Sequence, residues 1–154
     1  MNTIDPADIK IEIEDFFHKV GIELKAEVAK QDEGFLVTLN TKESGLLIGH
    51  HGDTLQDFQT IIGLVLNNKY KQDAWIRYAL DIGGWRAERE QSIRDLTLKA
   101  VEKVRSTGEP FTLPPMRAAE RRLTHMVISD HPDIASDSSG TGPERKVTLS
   151  LKSA

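Results

Sequence analysis

The chain has 154 residues, 38% hydrophobic and 29% charged, which suits one ordinary domain or two small ones with apolar cores. It has no cysteine, so disulfides, thiolate zinc sites and cysteine nucleophiles are excluded. No apolar run approaches the roughly 18 residues of a membrane span, and MNTIDPADIK has neither the basic nor the apolar region of a secretory leader, so a cytoplasmic protein without a membrane span is expected.

The net charge of −4 counts against a nucleic-acid binder, which is ordinarily basic. Its distribution is uneven. Residues 1–83 hold 8 Lys and Arg against 14 Asp and Glu, a net of −6, whereas residues 84–154 hold 12 against 10, a net of +2. Association follows the local field, so the second half is the better candidate for polyanions, and the first half must bind them locally or not at all.

Taken in chain order, residues 6–19 predict a helix, with Asp5 as cap, Pro6 in the first turn, and Ile9, Ile13, Phe16, Phe17 and Val20 as its apolar stripe. Residues 23–31 and FLVTLN alternate about the turn signal DEG and predict a hairpin. A short helix through Leu46, Leu47 and Ile48 leads into Gly49-His50-His51-Gly52. A longer helix, about 53–68, follows with Leu55, Phe58, Ile62 and Val65 inward. Residues 75–82 predict a third strand, which gives the order α-β-β-α-α-β.

Gly83-Gly84 then breaks the chain. Trp85 to Arg105 predicts a long amphipathic helix burying Ile93, Leu96, Ala100 and Val104. FTL suggests a short strand, and Pro115 to Ile128 a helix with Ala119, Leu123, Met126 and Val127 inward. Two strands, about 133–136 and 145–151, flank SDSSGTG, read as a hairpin loop. The expected architecture is α+β: two small α/β modules, 1–83 and 84–154, each near the size at which a core is marginal.

The stretch GLLIGHHGDTLQDF is the most specific feature. Adjacent histidines point apart in most backbones, and no third ligand stands at zinc spacing, so a metal site is a poor reading. The Walker pattern GxxxxGK[ST] and the dinucleotide pattern GxGxxG are both absent. A simple reversal between helices is the bland reading. The sharper one uses context: a GxxG loop joining a short helix to a long one lets a nucleic-acid backbone approach the main chain and the positive end of the second helix. The KH module clamps about four nucleotides this way. Asp53 reads chiefly as a helix cap. On the helix before Ile128, Arg117, Arg121 and His125 stand at i, i+4 and i+8, a basic stripe opposite the core. Ordinary solvated charges are the competing reading. No serine, cysteine or paired carboxylate accompanies His125, so catalysis is not expected.

In IGHHGDTL, ALDIGGWRAERE, TLPPMRAAERRLTH and GPERKVTL the sequence resembles the Jag, or KhpB, family of bacterial RNA-binding proteins over essentially its whole length. The resemblance implies a type II KH domain followed by an R-three-H domain, named for an arginine and a histidine separated by three residues, here Arg121 and His125. Family members often carry an additional N-terminal domain, and a short form beginning at the KH region is expected. The resemblance implies a non-enzymatic binder of single-stranded RNA, without cofactor or metal. Gly49, His50, His51 and Gly52 would grip the backbone and Leu47 and Ile48 would receive bases. Arg117, Arg121, His125, Arg145 and Lys146 would add phosphate contacts. It further implies a regulator linked to cell division or envelope growth, and pairing with a smaller KH protein or with itself. The loop departs from its relatives' frequent basic residues. Histidine ordinarily titrates near ~6.5, so the grip is expected to tighten as pH falls. A protein-interaction scaffold with weak RNA affinity is the alternative.

Overall fold

A computed structural model describes residues 4–71 and 73–153. Met1–Thr3, at the start of the stretch read for a leader, lie outside them. The chain forms two compact units, Met1–Arg86 and Ala87–Ala154.

In the first unit, α1 spans Pro6–Lys19, and the Asp5 carboxylate accepts the Ala7 N–H at 2.8 Å. This satisfies one of the orphan donors of the first turn. Its inward stripe is Ile9, Ile13 and Phe17, while Val20 lies outside the helix and is exposed. Strand β1 (Lys25–Gln31) pairs antiparallel with β2 (Gly34–Asn40) around a two-residue turn, with Lys25 opposite Asn40 and Gln31 opposite Gly34.

From β2 the chain crosses over through α2 (Ser44–Ile48), a single 3₁₀ turn His50–Gly52, and α3 (Asp53–Tyr70) to β3 (Tyr78–Ile82). β3 lies parallel to β2, so the sheet order is β1-β2-β3. Parallel pairing requires such a crossover, and here the crossover carries the glycine loop. This is the type II KH order α-β-β-α-α-β. Ile9, Ile13, Phe17, Val37, Leu39, Leu55, Ile62 and Leu80 build one core between helices and sheet. Phe17 and Phe58 meet inside it at 5.0 Å between ring centroids.

Two details differ from the sequence expectation. β3 begins at Tyr78 rather than residue 75, because β2 starts at Gly34 and offers its partner a first register pair only at Phe35 opposite Tyr78. The Ile76 N–H is taken instead by the Asn67 side chain at 2.7 Å. In α3 the inward residues are Leu55, Ile62, Gly63 and Leu66, and Val65 faces outward.

In the second unit, α4 (Trp85–Thr107, its first two residues belonging to the first unit) runs to Gly108, whose N–H bonds the Val104 carbonyl at 2.9 Å with φ +73°. This is the left-handed helix stop that glycine supplies cheaply. β4 (Phe111–Thr112), α5 (Ala118–Ser129), β5 (Ile134–Ser139) and β6 (Lys146–Leu151) follow, with antiparallel sheet order β4-β6-β5. The core holds Ala100, Val101, Val104, Leu113, Ile128, Ile134, Val147 and Leu149.

Here too the expectation is corrected. α4 buries Thr97 and Val101 with Ile93, Ala100 and Val104, while Leu96 is only half-buried. SDSS of the expected loop is strand, because Asp137, Ser138 and Ser139 pair with Thr148, Val147 and Lys146. Polar composition marks these residues as loop, yet the strand has one face near solvent and tolerates them.

Candidate nucleic-acid interface

Five residues of α2 end at Gly49, whose N–H bonds the Gly45 carbonyl at 3.0 Å. Gly49 (φ +69°), His51 (φ +50°) and Gly52 (φ +82°) then all adopt positive φ. Three such residues in four reverse the chain within one turn, and a non-glycine residue at His51 is held there against an intrinsic cost. The His50 and His51 rings do not point apart as adjacent side chains usually do. They stack at 3.9 Å between centroids and 24° between planes, both residues exposed.

The start of α3 lies directly behind this turn. Its N-cap is Gly52, which has no side chain to offer the first-turn N–H groups. The expected capping by Asp53 is therefore replaced by a glycine cap, with Asp53 as the first helical residue. The Asp53 N–H is taken by the His50 carbonyl, and the 18-residue helix sets the positive end of its dipole at the turn.

The two glycines are packed from beneath. A Cβ on Gly52 would stand within 3.0 Å of three carbons of the Trp85 ring. A Cβ on Gly49 would overlap the Thr54 hydroxyl and lie 3.1 Å from its backbone nitrogen. Sequence reasoning gave these glycines to the approach of a nucleic-acid backbone; the interior of the protein itself leaves no room for a side chain at either position. Leu47, expected in a base-receiving groove, is instead completely buried in the core and presents no surface. Ile48 is half-buried against that core, and the exposed apolar side chain of α2 is Leu46.

In the second unit the Arg121–His125 pair lies on α5, but not as expected. α5 starts at Ala118, so Arg117 is its N-cap in extended conformation (φ −66°, ψ 161°) and does not continue a helical stripe. The inward residues are Thr124, Val127 and Ile128, while Ala119 and Met126 are exposed. Arg121 and His125 therefore flank the core rather than oppose it. Their half-buried side chains are oriented by specific bonds. Arg121 donates to the Met116 carbonyl at 2.7 Å, and His125 Nδ1 is 2.7 Å from Ser136 Oγ on β5. At the start of α5, Glu120 accepts the Arg117 N–H at 3.1 Å and the Arg89 guanidinium at 2.7 Å.

Arg145 donates to Ser138 Oγ at 3.2 Å and to the Gly140 carbonyl at 3.3 Å, which turns it toward α5. The result is an open cleft of about 520 Å³ lined by Arg121, Arg122, His125, Met126, Ser138 and Arg145, together with Ala118 and Ser129 and with no carboxylate among them. The structure thus brings Arg121, His125 and Arg145 together; Arg117 and Lys146 do not line the cleft. Arg122, which is not part of the expected Arg117–Arg121–His125 stripe, does line it, as does Ser138. The missed signal was the SDSS segment: once it is a strand beside α5, its serines face the histidine and arginines.

Among the described residues, no three His, Cys, Asp or Glu side chains gather closely enough to hold a metal ion, and no helix is long and apolar enough to cross a membrane. At the far end of α4, Arg105 forms a two-pronged ion pair with Asp133 at 2.7 and 2.8 Å. This holds the Asp133 carboxyl well below its ordinary range, at about 2.

Residues 91–151 match the R-three-H domain family. The chain is 31% identical over 133 residues to the RNA-binding protein KhpB of Clostridium symbiosum, covering 86% of this chain and 59% of that protein. It is 29% identical over 117 residues to the RNA-binding protein KhpB of Lactiplantibacillus plantarum, covering 75% and 36%. It is 28% identical over 132 residues to the RNA-binding protein KhpB of Bacillus subtilis, covering 83% and 62%. The chain therefore spans less than two thirds of the length of each of these relatives. The glycine turn in a type II KH fold, the R-three-H match behind it and relatives that span both units agree: the chain is similar to the Jag/KhpB proteins across both of its units.

Proposed function

We propose that this chain binds single-stranded RNA without catalysing a reaction on it, with residues 1–83 and 84–154 as its two functional modules. The observation that carries the proposal is the Gly49–Gly52 turn, which sets exposed His50 and His51 in front of the glycine-capped start of α3. Backbone N–H groups and a helix dipole bind phosphate without a basic side chain, so the acidic balance of residues 1–83 does not prevent a local grip. The Arg121, Arg122, His125 and Arg145 cleft supplies the second contact, with guanidinium forks suited to phosphate oxygens. The names of the three relatives support the same ligand.

Two finer readings accompany it. The protein acts in the cytoplasm as a post-transcriptional regulator linked to cell division or envelope growth. It also pairs with a smaller KH-domain protein or with a second copy. Supporting the pairing, Ile61, Leu64 and Val65 form an exposed apolar stripe on α3. That stripe and the net −6 of residues 1–83 also favour the second reading, a protein-interaction scaffold with weak RNA affinity.

Fluorescence anisotropy with a short labelled single-stranded RNA at several salt concentrations separates the two. The RNA reading expects affinity to fall steeply with salt, through release of counterions from several phosphates. Weak, salt-insensitive binding would favour the scaffold.

A further inference from the structure

We infer that Trp85 is a positioning residue for the glycine loop: its indole fills the space beneath Gly52 and holds the turn in the conformation that receives phosphate. This rests on the reading of the loop as an RNA grip.

Gly52 is buried while its neighbours His51 and Asp53 are exposed. The group that covers it is the six-membered ring of Trp85, whose Cη2, Cζ3 and Cζ2 occupy the place of a Cβ on Gly52. Trp85 itself is half-buried against the first core. It comes from a distant part of the sequence, so the loop does not hold itself. One half of the turn is backed locally by Thr54 under Gly49, and the other half by an aromatic ring from the first residue of α4.

The chain on either side of Trp85 fixes the approach. Gly83 (φ +56°) and Gly84 (φ +76°) reverse direction after β3, and neither has an atom within 4 Å of the place a Cβ would take, so their role is conformational. Immediately after Trp85, the Arg86 N–H bonds Asp81 at 3.2 Å. The Arg86 side chain donates to the Leu80 carbonyl at 2.6 Å and to Gln59 Oε1 at 2.7 Å. Gln59 Oε1 also accepts the Leu80 N–H at 3.1 Å. α3, β3 and the start of α4 are thereby tied together, with the indole delivered under the loop.

The energetic consequence is preorganisation. A turn with a left-handed histidine is one that a free chain seldom holds. Ordering such a turn at the moment of binding subtracts from affinity, and a ring that occupies the space beneath it removes that cost in advance. Trp85 acts through Gly52, with the loop between its ring and the RNA.

The test uses the full chain, a short fluorescein-labelled single-stranded RNA, thermal unfolding, and amide hydrogen exchange resolved by residue. Trp85→Leu is expected to unfold near the wild-type temperature, to bind RNA about tenfold more weakly, and to exchange faster at the N–H groups of Gly49 and Asp53, which are hydrogen-bonded at the turn, with those of α5 unchanged. Trp85→Phe, which keeps a ring but withdraws its far edge, is expected to recover most of the affinity and part of the protection. A folded Trp85→Leu protein with wild-type affinity and unchanged loop exchange overturns the inference. If Trp85→Leu does not fold, Trp85→Phe decides: loop protection and affinity both equal to wild type overturn it, and a loss in both supports it. His50→Asp with His51→Asp is measured alongside. Binding lost in that variant but untouched in the Trp85 variants removes only the positioning role. Binding untouched in all of them removes the loop as the RNA site.

Discussion

His125 Nδ1 stands 2.7 Å from Ser136 Oγ, a bond from α5 to β5 that fixes the imidazole plane at the edge of the arginine cleft. The bond occupies one ring nitrogen and leaves the other for a ligand. Ser136→Ala is expected to cost about 1 kcal/mol or less in stability, as a partly exposed neutral hydrogen bond does, and to weaken RNA binding several-fold by freeing the ring. Anisotropy beside a thermal melt checks this. Unchanged affinity would separate His125 from the RNA contact.

Arg121 is oriented by its Nη1 bond to the Met116 carbonyl, and Arg145 by bonds from Nε to Ser138 and from Nη1 to the Gly140 carbonyl, which leave Nη2 of each for a ligand. If the cleft meets phosphate, replacing either by alanine lowers affinity and also lowers the slope of log affinity against log salt by roughly 0.7 per phosphate lost. Arg145→Lys is expected to keep part of the salt slope and lose the fork geometry. Lys146→Ala, which lies outside the cleft, serves as the comparison, and a loss there equal to that at Arg145 would contradict the assignment.

The loop histidines predict a charge effect on binding. A positive charge on either ring would stand beside a bound phosphate. His50→Gln with His51→Gln removes any such charge from the turn and keeps hydrogen-bonding side chains there, and is expected to weaken RNA binding less than the paired aspartate replacement does. Anisotropy with the same labelled RNA at constant ionic strength compares the two variants.

A pH effect concerns folding. The Arg105 guanidinium holds the Asp133 carboxyl at about 2, below its ordinary value of 3.8. A carboxyl with a depressed folded value stabilises the protein above its unfolded pKa, and that contribution is lost as pH falls through the folded one. The contribution of this pair is thus complete at neutral pH and disappears between about 4 and about 2. The pair is solvent-screened, so the effect on melting temperature is small. Asp133→Asn is expected to remove the acid-dependent part, which melts across that range detect.

Much of this was legible in the sequence because it depends on local rules. The Asp5-Pro6 start of α1, the hairpin about residues 32–33 and the order α-β-β-α-α-β follow from caps, turns and periodicity. Gly49 and Gly52 stood out for the same reason. What escaped was decided by partners distant in sequence. Alternation at residues 75–77 looked like strand, but β2 offers no register pair there. SDSS looked like loop, but β6 lies beside it. Helical spacing put Arg117 on the Arg121–His125 stripe, whereas the helix starts one residue later, at Ala118. Leu47 looked available to a base until the core closed over it. No periodicity could reveal that Trp85 lies under Gly52, since that contact is made only by the tertiary fold.

The central claim is that the Gly49–Gly52 turn grips RNA phosphate. Its most direct test replaces His50 and His51 by aspartate in the full chain and measures affinity for a short labelled single-stranded RNA by anisotropy, with a thermal melt to confirm folding. Two carboxylates at the start of α3 are compatible with its dipole but repel phosphate. The account predicts a folded protein whose RNA affinity falls at least about tenfold, leaving only the weaker salt-sensitive binding of the arginine cleft. A folded protein that binds RNA as tightly as the wild type would contradict it.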